Sequence, residues 1–103
     1  MSRSEILSRI EAERARQIDI AGSEMDVRNT PNEWAAIAAH YLTEEVRRGS
    51  YVPDRASFED AFIKAAAVIL AALEYSPVMQ DMGHLTGEPD PTSTLAQTLA
   101  KLS

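Results

Sequence analysis

The sequence contains no cysteine, and this absence excludes several classes of protein. Disulfide scaffolds, zinc sites with thiolate ligands and thiol-based catalysis all require cysteine. Glycine is also scarce, with 4 residues in 103, and neither a Gly-x-Gly-x-x-Gly pattern nor a Walker-type lysine loop occurs. The common glycine-rich loops that hold nucleotide phosphates are therefore excluded. No Gly-x-Ser-x-Gly elbow is present, which argues against a hydrolytic triad of that type.

Long apolar runs and excess positive charge are lacking as well. The longest apolar run, Ala65 to Leu73, is about half of the roughly 20 residues that a membrane-spanning helix needs. Charged residues occur throughout the first thirty positions, where no apolar segment typical of a signal peptide is found. The formal net charge of -6 argues against a surface that binds duplex nucleic acid. We therefore expect a cytoplasmic protein that binds neither membranes nor duplex nucleic acid.

The first predicted helix begins with an apolar stripe and ends with a polar one. A capping box formed by Ser2 and Glu5 predicts its start, and we expect it to end within residues 18–20. At helical spacing, its apolar stripe continues to Glu13 and Gln17 instead of to further aliphatic side chains. Polar groups are therefore predicted on a face that starts as part of the core.

The run Thr30-Pro31-Asn32-Glu33 predicts the start of a second helix after a loop over residues 21–29. Threonine is a good cap, proline fits the first helical position, and Glu33 completes a capping box. We expect Gly49 to close this helix, with Glu45 on its buried stripe and Glu44 on the far side. The apolar members of that stripe are Trp34, Ile37, Ala38, Tyr41, Leu42 and Val46.

A third helix is predicted from a cap at Ser57 to about Tyr75, with Asp60 and Lys64 as a surface pair. Its residues are apolar on nearly all sides, which is typical of a central bundle helix or of an oligomer interface. The many alanines predict a thin core, so we expect a homodimer or a higher homo-oligomer.

The rest of the chain is predicted as a linker and a short helix. Residues 76–91 contain three prolines and two glycines, which are typical of a loop. Leu95, Leu99 and Leu102 mark an amphipathic helix over residues 92–103. The predicted fold is therefore an all-α bundle of three main helices over residues 1–75, followed by this linker and a short C-terminal helix.

Carboxylates are the side chains that best indicate chemistry. Glu13 and Glu45 lie on stripes that are otherwise buried, while Asp26 and Glu33 flank the start of the second helix. Helical bundles build hard-metal sites from inward carboxylates, and Mg²⁺ needs few of them when phosphates and water complete its coordination. Such a site would suit phosphoryl or pyrophosphoryl transfer.

Simpler roles for the same residues stay open. Glu33 could act only in the capping box, and Asp26 could only organise its loop. Glu13 and Glu45 could form ion pairs with arginine side chains, of which the candidates are Arg14, Arg16 and Arg48. Trp34 and Tyr41 could be core aromatics rather than a stacking surface for a nucleobase.

Several runs of sequence together resemble a known family. They are Ile10 to Gln17 (IEAERARQ), Gly22, Glu24 to Asp26 (EMD), Thr30, Glu33-Trp34, Ala38 to Leu42 (AAHYL), Phe58, and Lys64 to Glu74 (KAAAVILAALE). Over about Ile6 to Tyr75 the chain resembles the short MazG-like proteins of bacteriophages and bacteria, which are similar to the all-α nucleoside triphosphate pyrophosphohydrolases. The resemblance implies an oligomeric helical bundle that binds Mg²⁺ and cleaves nucleoside or deoxynucleoside triphosphates to the monophosphate and pyrophosphate.

The resemblance also implies roles for individual residues. The metal ligands would be Asp26, Glu33, Glu59 and Asp60. Glu13 or Glu45 would orient the attacking water. The nucleoside triphosphate would be bound by Arg14, Gln17, Trp34, Tyr41 and Lys64. The family's acidic loop tends to read Glu-His-Asp-Asp, whereas this chain has Glu-Met-Asp-Val at residues 24–27.

Two other functions are consistent with the sequence. A non-catalytic helical protein of phage origin, with a degenerate metal site, would act by binding another protein. The leucine edge at residues 95–102 and the acidic composition favour this alternative. A nucleotide sensor that binds without cleaving is the third candidate.

Overall fold

The computed structural model of the protein describes residues 1–19, 23–45 and 52–87. In these ranges the chain forms only helices: α1 (Arg3–Ile18), a 3-10 helix (Ser23–Arg28), α2 (Pro31–Glu45), α3 (Arg55–Glu74) and α4 (Ser76–Asp81). The predicted all-α class and its three main helices are confirmed. The predicted helix over residues 92–103 lies outside the described residues, as do Gly22, Val46, Arg48 and Gly49. None of the described helices is both long and apolar enough to cross a membrane.

The first two main helices begin at the capping residues that the sequence indicates. The Ser2 hydroxyl accepts a hydrogen bond from the backbone N–H of Glu5 at 3.2 Å. The Thr30 hydroxyl accepts one from the backbone N–H of Glu33 at 3.3 Å. Each bond satisfies a donor in the first helical turn, which has no carbonyl partner within the helix.

The third helix begins earlier than the sequence predicts. Its cap is Asp54, whose carboxylate accepts a hydrogen bond from the backbone N–H of Ser57 at 3.2 Å. The predicted cap at Ser57 is therefore wrong, because Ser57 supplies a backbone donor rather than the capping oxygen. Asp54 and Ser57 are both good capping residues, and the former lies one helical turn earlier in the chain.

The predicted loops are also partly wrong. Residues 23–28 form a 3-10 helix, and α4 occupies the first six residues of the predicted linker. Pro77 is compatible with α4 because it lies in the first turn, where no intrahelical donor is needed. Gly83, with φ of 81°, ends α4, and its N–H donates to the Gln80 carbonyl at 3.0 Å. The helix α4 can therefore form because Pro77 lies where proline is tolerated and because Gly83 ends the helix.

The core lies where α2, α3 and α4 meet. Trp34 on α2 stacks on Tyr75 at the end of α3, with ring centroids 5.6 Å apart. Because the first turn of α2 contacts the last turn of α3, these two helices run antiparallel. The buried core cluster consists of Trp34, Ala38, Val68, Ala71 and Met79. The predicted stripe of α2 is thereby confirmed for Trp34, Ile37, Ala38 and Tyr41, of which Ile37 and Tyr41 are partly buried against the cluster.

The central helix α3 also packs against α1 and buries small side chains there and against α2. Its buried residues are Ala61, Ile63, Ala65, Ala67, Val68 and Ala71. A third face of α3 carries large apolar side chains that are 41–66% exposed. We call this face the α3 stripe, and its members are Phe58, Phe62, Ile69 and Leu73.

Candidate functional site

The four predicted metal ligands lie at opposite ends of α3. Asp26 lies in the 3-10 helix, which packs against α4, and Glu33 lies in the first turn of α2, beside the end of α3. Glu59 and Asp60 lie in the first two turns of α3. At 1.5 Å per residue, Asp60 is roughly 22 Å from Tyr75 along the helix axis. The structure therefore does not bring this set together around one cation.

Glu33, Glu59 and Asp60 each have a partner three or four residues away in the chain, and that of Asp60 is Lys64. Glu33 accepts a hydrogen bond from the Thr30 hydroxyl at 3.2 Å, rather than from the Thr30 backbone N–H as in a full capping box. Glu59 lies 2.9 Å from Nε of Arg55 and 3.6 Å from a guanidinium nitrogen of Arg9. The hydrogen bond from Arg55 lowers the pKa of Glu59 below its ordinary value.

No set of three or more histidine, aspartate or glutamate side chains within residues 1–19, 23–45 and 52–87 is arranged to hold a metal ion. The residues implied as Mg²⁺ ligands therefore do not fit that role together, since they are separated by most of the length of α3. The side chain of Glu45, the last residue of α2, lies outside the described residues.

A different group of predicted residues does come together, between α1 and α3. We call it the polar cluster: Glu13, Arg16 and Gln17 of α1 with Asp60 and Lys64 of α3. Both carboxylate oxygens of Glu13 accept from Nε of Arg16, at 2.6 and 2.9 Å. The Gln17 amide donates to the Lys64 carbonyl at 3.3 Å. The predicted polar continuation of the first helix is thus explained by hydrogen bonds within α1 and to the neighbouring helix.

The pKa of Lys64 is influenced by acidic residues on three helices. Its ammonium lies 2.9 Å from Asp60 Oδ2, and this bond raises the pKa of Lys64. The charges of Glu44 and Glu13 raise it further. Glu44 is exposed, in agreement with its predicted place on the far side of α2, and its charge still raises the pKa of Lys64. Lys64 thus pairs with Asp60, and an approaching phosphate would compete with this carboxylate for the ammonium.

The polar cluster borders a small cavity of about 250 Å³ that is lined partly by Arg9, Ala12 and Ile63. Glu13 and Arg16, the two charged residues of α1 in the cluster, pair with each other. The hydrogen bond between them raises the pKa of Arg16. The chemistry of the cavity is therefore that of neutralised ion pairs.

The remaining predicted substrate-binding residues lie elsewhere. Arg14 contacts Glu74 at 3.1 Å, ten residues beyond Lys64, so the two predicted phosphate-binding cations point to different parts of α3. Trp34 is 5% exposed and belongs to the core, which supports the core-aromatic interpretation over nucleobase stacking. Tyr41 is half-buried and packs against the same cluster.

Two apolar grooves flank the C-terminal half of the α3 stripe. Ile69 and Leu73 line both, so they form the ridge between them. One groove, of about 310 Å³, lies between α1 and α3. The other, also about 310 Å³, lies between α2, α3 and α4 and has Trp34 on its wall. The remaining lining residues of the first groove are Leu7, Ile10, Glu11, Ala66 and Leu70.

One polar atom beside the second groove lacks a partner. Trp34 Nε1 is buried and has no hydrogen-bond acceptor in the part of the chain that is described. A buried donor without an acceptor costs about 1–3 kcal/mol relative to a satisfied one. The stacking and burial of the indole must therefore outweigh this cost.

The sequence analysis missed two kinds of residue. Glu44 acts electrostatically on Lys64 of the polar cluster, whereas the pairing of Glu13 with Arg16 is one of the ion pairs that the sequence left open. A usable signal was the short connection between α2 and α3, which predicts antiparallel packing and places residues 44 and 45 opposite Lys64. The exposure of the α3 stripe was also missed, because an apolar pattern does not show which face is covered.

Comparison with known proteins identifies no relative. No protein-family model matches the sequence, and no curated protein or solved structure is significantly similar to it. Membership of the MazG-like family therefore stays a prediction based on the residues quoted above.

Proposed function

We propose that this protein is a non-catalytic helical module that binds an amphipathic helix of another polypeptide along the α3 stripe. The observation that carries the proposal is the exposure of four large apolar side chains on one face of the central helix, next to Leu7 of α1. A ridge between two grooves is a surface into which the side chains of a second helix can interdigitate.

The size of this surface supports a specific but moderate interaction. Five side chains that are each about half exposed, with roughly 200 Å² of accessible area when free, offer on the order of 500 Å². Standard stable complexes bury about 800 Å² per partner, part of it polar rim. We therefore expect dissociation constants on the order of micromolar for a helix that covers the stripe.

The state of the carboxylates also supports binding rather than catalysis. Glu13, Glu59 and Asp60 each lie within 3 Å of a cationic nitrogen. An acid that is already paired in this way would have to lose its partner before it bound a metal or activated water. The described polar residues are thus arranged to stabilise the bundle.

A pair of peptides tests the proposal. The first is a labelled helical peptide with leucines at the spacing of the stripe, and the second has serine at those positions. We expect fluorescence anisotropy to show binding of the leucine peptide alone, and at least tenfold weaker binding by the variants Phe62→Glu and Leu73→Glu. Val52→Glu, at an apolar position that is 85% exposed and off the stripe, serves as the matched control. Equal binding by all four proteins would overturn the proposal.

Nucleotide pyrophosphohydrolysis is the second candidate function. The observation that favours it is the meeting of Glu13, Gln17, Asp60 and Lys64, all of which the MazG-like resemblance assigns to the site. Incubation with a panel of nucleoside and deoxynucleoside triphosphates and Mg²⁺, followed by assay of pyrophosphate and monophosphate, tests it. Turnover that Glu13→Gln abolishes in a folded protein would replace the binding proposal with the enzymatic one.

A further inference from the structure

Most cations of α1 and α3 are paired within the chain, whereas Glu11 of α1 is not. Glu11 is exposed and forms no ion pair with a basic side chain of the described residues. Five cations of the same two helices each lie 2.6–3.6 Å from a carboxylate of this chain: Arg9, Arg14, Arg16, Arg55 and Lys64. These cations are therefore already neutralised, while the negative charge of Glu11 is not.

Glu11 borders the apolar groove between α1 and α3. Leu7, Ile69 and Leu73 line the same groove, and Glu11 is its only charged lining residue among those described. The groove on the other side of the stripe has no charged residue in its described lining. Arg3, which is also without an ion pair among the described residues, lies about two helical turns before Glu11 and does not line the groove. A helix on the stripe therefore meets a negative charge along one flank and an uncharged wall along the other.

We propose that the helix bound along the α3 stripe is a basic amphipathic helix, with a lysine or arginine that pairs with Glu11. This inference rests on the proposed function and adds the chemistry of the partner. The net charge of the chain, -6, attracts a basic helix and repels an acidic one before contact. Charge complementarity at the rim of an interface raises the rate of association and discriminates against partners of the wrong sign.

The position of Glu11 suits a lysine or arginine of the partner. Leu7 lies one turn before Glu11 on the same face of α1 and is 53% exposed. The aliphatic stem of a lysine or arginine can lie over Leu7 while its charged end reaches the Glu11 carboxylate. An acidic side chain at the same place would meet a like charge, because Arg14, the next basic residue of α1, already pairs with Glu74.

Three versions of the leucine peptide test the sign of the partner's charge. They differ only at the positions that flank the leucines, which carry lysine, glutamine or glutamate. At low salt, we expect fluorescence anisotropy to show at least tenfold tighter binding of the lysine version than of the glutamate version, with the glutamine version between them. At about 1 M salt, where the screening length is about 3 Å, the difference should largely disappear. Equal binding of the lysine and glutamate versions at low salt, or tighter binding of the glutamate version, would overturn the inference.

The variant Glu11→Gln tests the residue itself. It should reduce the ratio of the lysine and glutamate affinities about threefold, which is the effect of one exposed ion pair. Glu5→Gln is the matched control, because it removes the same charge from an exposed position of α1 that does not line the groove. Circular dichroism checks that both variants keep their helices. An equal effect of the two variants would assign the preference to net charge alone and overturn the pairing with Glu11.

Carbodiimide coupling locates the contact, because it joins an amine to a carboxylate that lies against it. With the lysine version of the peptide, mass spectrometry of the product should place the new amide at Glu11. Glu11→Gln should remove this product. Coupling at Glu5 or at other carboxylates alone would contradict the proposed pairing.

The glutamine version separates failure of the inference from failure of the proposed function. If it binds and Leu73→Ser weakens that binding, helix binding stands, and an equal affinity of the lysine version overturns only the inference. If the lysine version alone binds and Leu73→Ser does not weaken it, the interaction is purely electrostatic, and both proposals fail. Both also fail if no version binds.

Discussion

The polar cluster and the α3 stripe are two surfaces that share the central helix α3. Charged side chains in the cluster have partners within the chain, whereas the large apolar side chains of the stripe are exposed to water. In the polar cluster, Glu13 and Asp60 each have a cationic partner within 3 Å. On the stripe, Phe62 and Leu73 are 41% and 66% exposed. Charges that are neutralised within the chain contribute to its fold, whereas large apolar groups left in water favour association. The comparison favours a structural role for the surface rich in charge and supports the proposed binding role of the apolar one.

The largest expected effect separates the core from the stripe. Trp34→Ala should reduce the free energy of unfolding by about 3–5 kcal/mol, because it removes a buried aromatic from a core made largely of small side chains. Leu73→Ala at low protein concentration should cost far less, since that side chain is mostly exposed. Urea denaturation measures both. A Leu73→Ala cost close to that of Trp34→Ala would show that the stripe is part of the core and would remove the contrast.

A double variant of the stripe should change association more than stability. We expect Phe62→Ser combined with Ile69→Ser to weaken binding of the leucine peptide by at least a hundredfold, because two large apolar side chains of the proposed binding surface are lost. The stability of the monomer should change little. Fluorescence anisotropy with the leucine peptide measures the binding, and thermal unfolding measures the stability. Unchanged association would contradict the role assigned to the stripe.

The capping residues of α2 provide a second test that polar side chains stabilise the fold. Thr30→Ala should cost about 0.5–2 kcal/mol of stability, since the hydroxyl satisfies the backbone N–H of Glu33. Glu33→Gln should cost less, because an amide oxygen can still accept from the hydroxyl. Chemical denaturation provides the measurement, and Thr43→Ala, within the same helix, is the control. If Glu33→Gln alone impaired a nucleotide-dependent activity while the fold stayed intact, Glu33 would have a role beyond capping.

The smallest expected effect is on the loss of stability at low pH. The pKa of Glu59 is lowered, first by its hydrogen bond from Arg55 and then by the charges of Arg55 and Arg9. Its pairing therefore stabilises the protein above the ordinary carboxyl pKa, and this contribution is lost as the pH falls through the lowered value. Glu59→Gln should flatten the decline in stability slightly below about pH 4.5. Thermal unfolding between pH 3 and 7 measures it, with Glu5→Gln as the control. An unchanged slope would indicate that the pair is fully screened by solvent.

Local features of the fold were more predictable than its packing. The starts of α1 and α2 follow from Ser2 and Thr30, because a cap depends on residues within one turn. The start of α3 was missed because Asp54 and Ser57 compete for the same role and only the backbone decides between them. The helix α4 was missed because proline indicates a loop unless its position within the first turn is known.

The candidate site was predictable in part for a related reason. Gln17, Lys64 and Asp60, to which the resemblance assigns roles in the site, do meet. The proposed ligands Asp26 and Glu33 were grouped with Glu59 although the antiparallel packing puts them at the other end of α3. Which helix ends lie close together depends on how the helices pack. The apolar periodicity of a single helix gives no information about that packing.

The alanines at the centre of the bundle also limit how this sequence can change. Ala67 has no exposed surface and Ala65 has 1%, so a single methyl group fills each position. Any larger residue would have to push whole helices apart rather than shift a neighbouring side chain. Evolutionary variation that preserves the architecture is therefore directed to the outward faces, where new binding preferences can arise without rebuilding the interior.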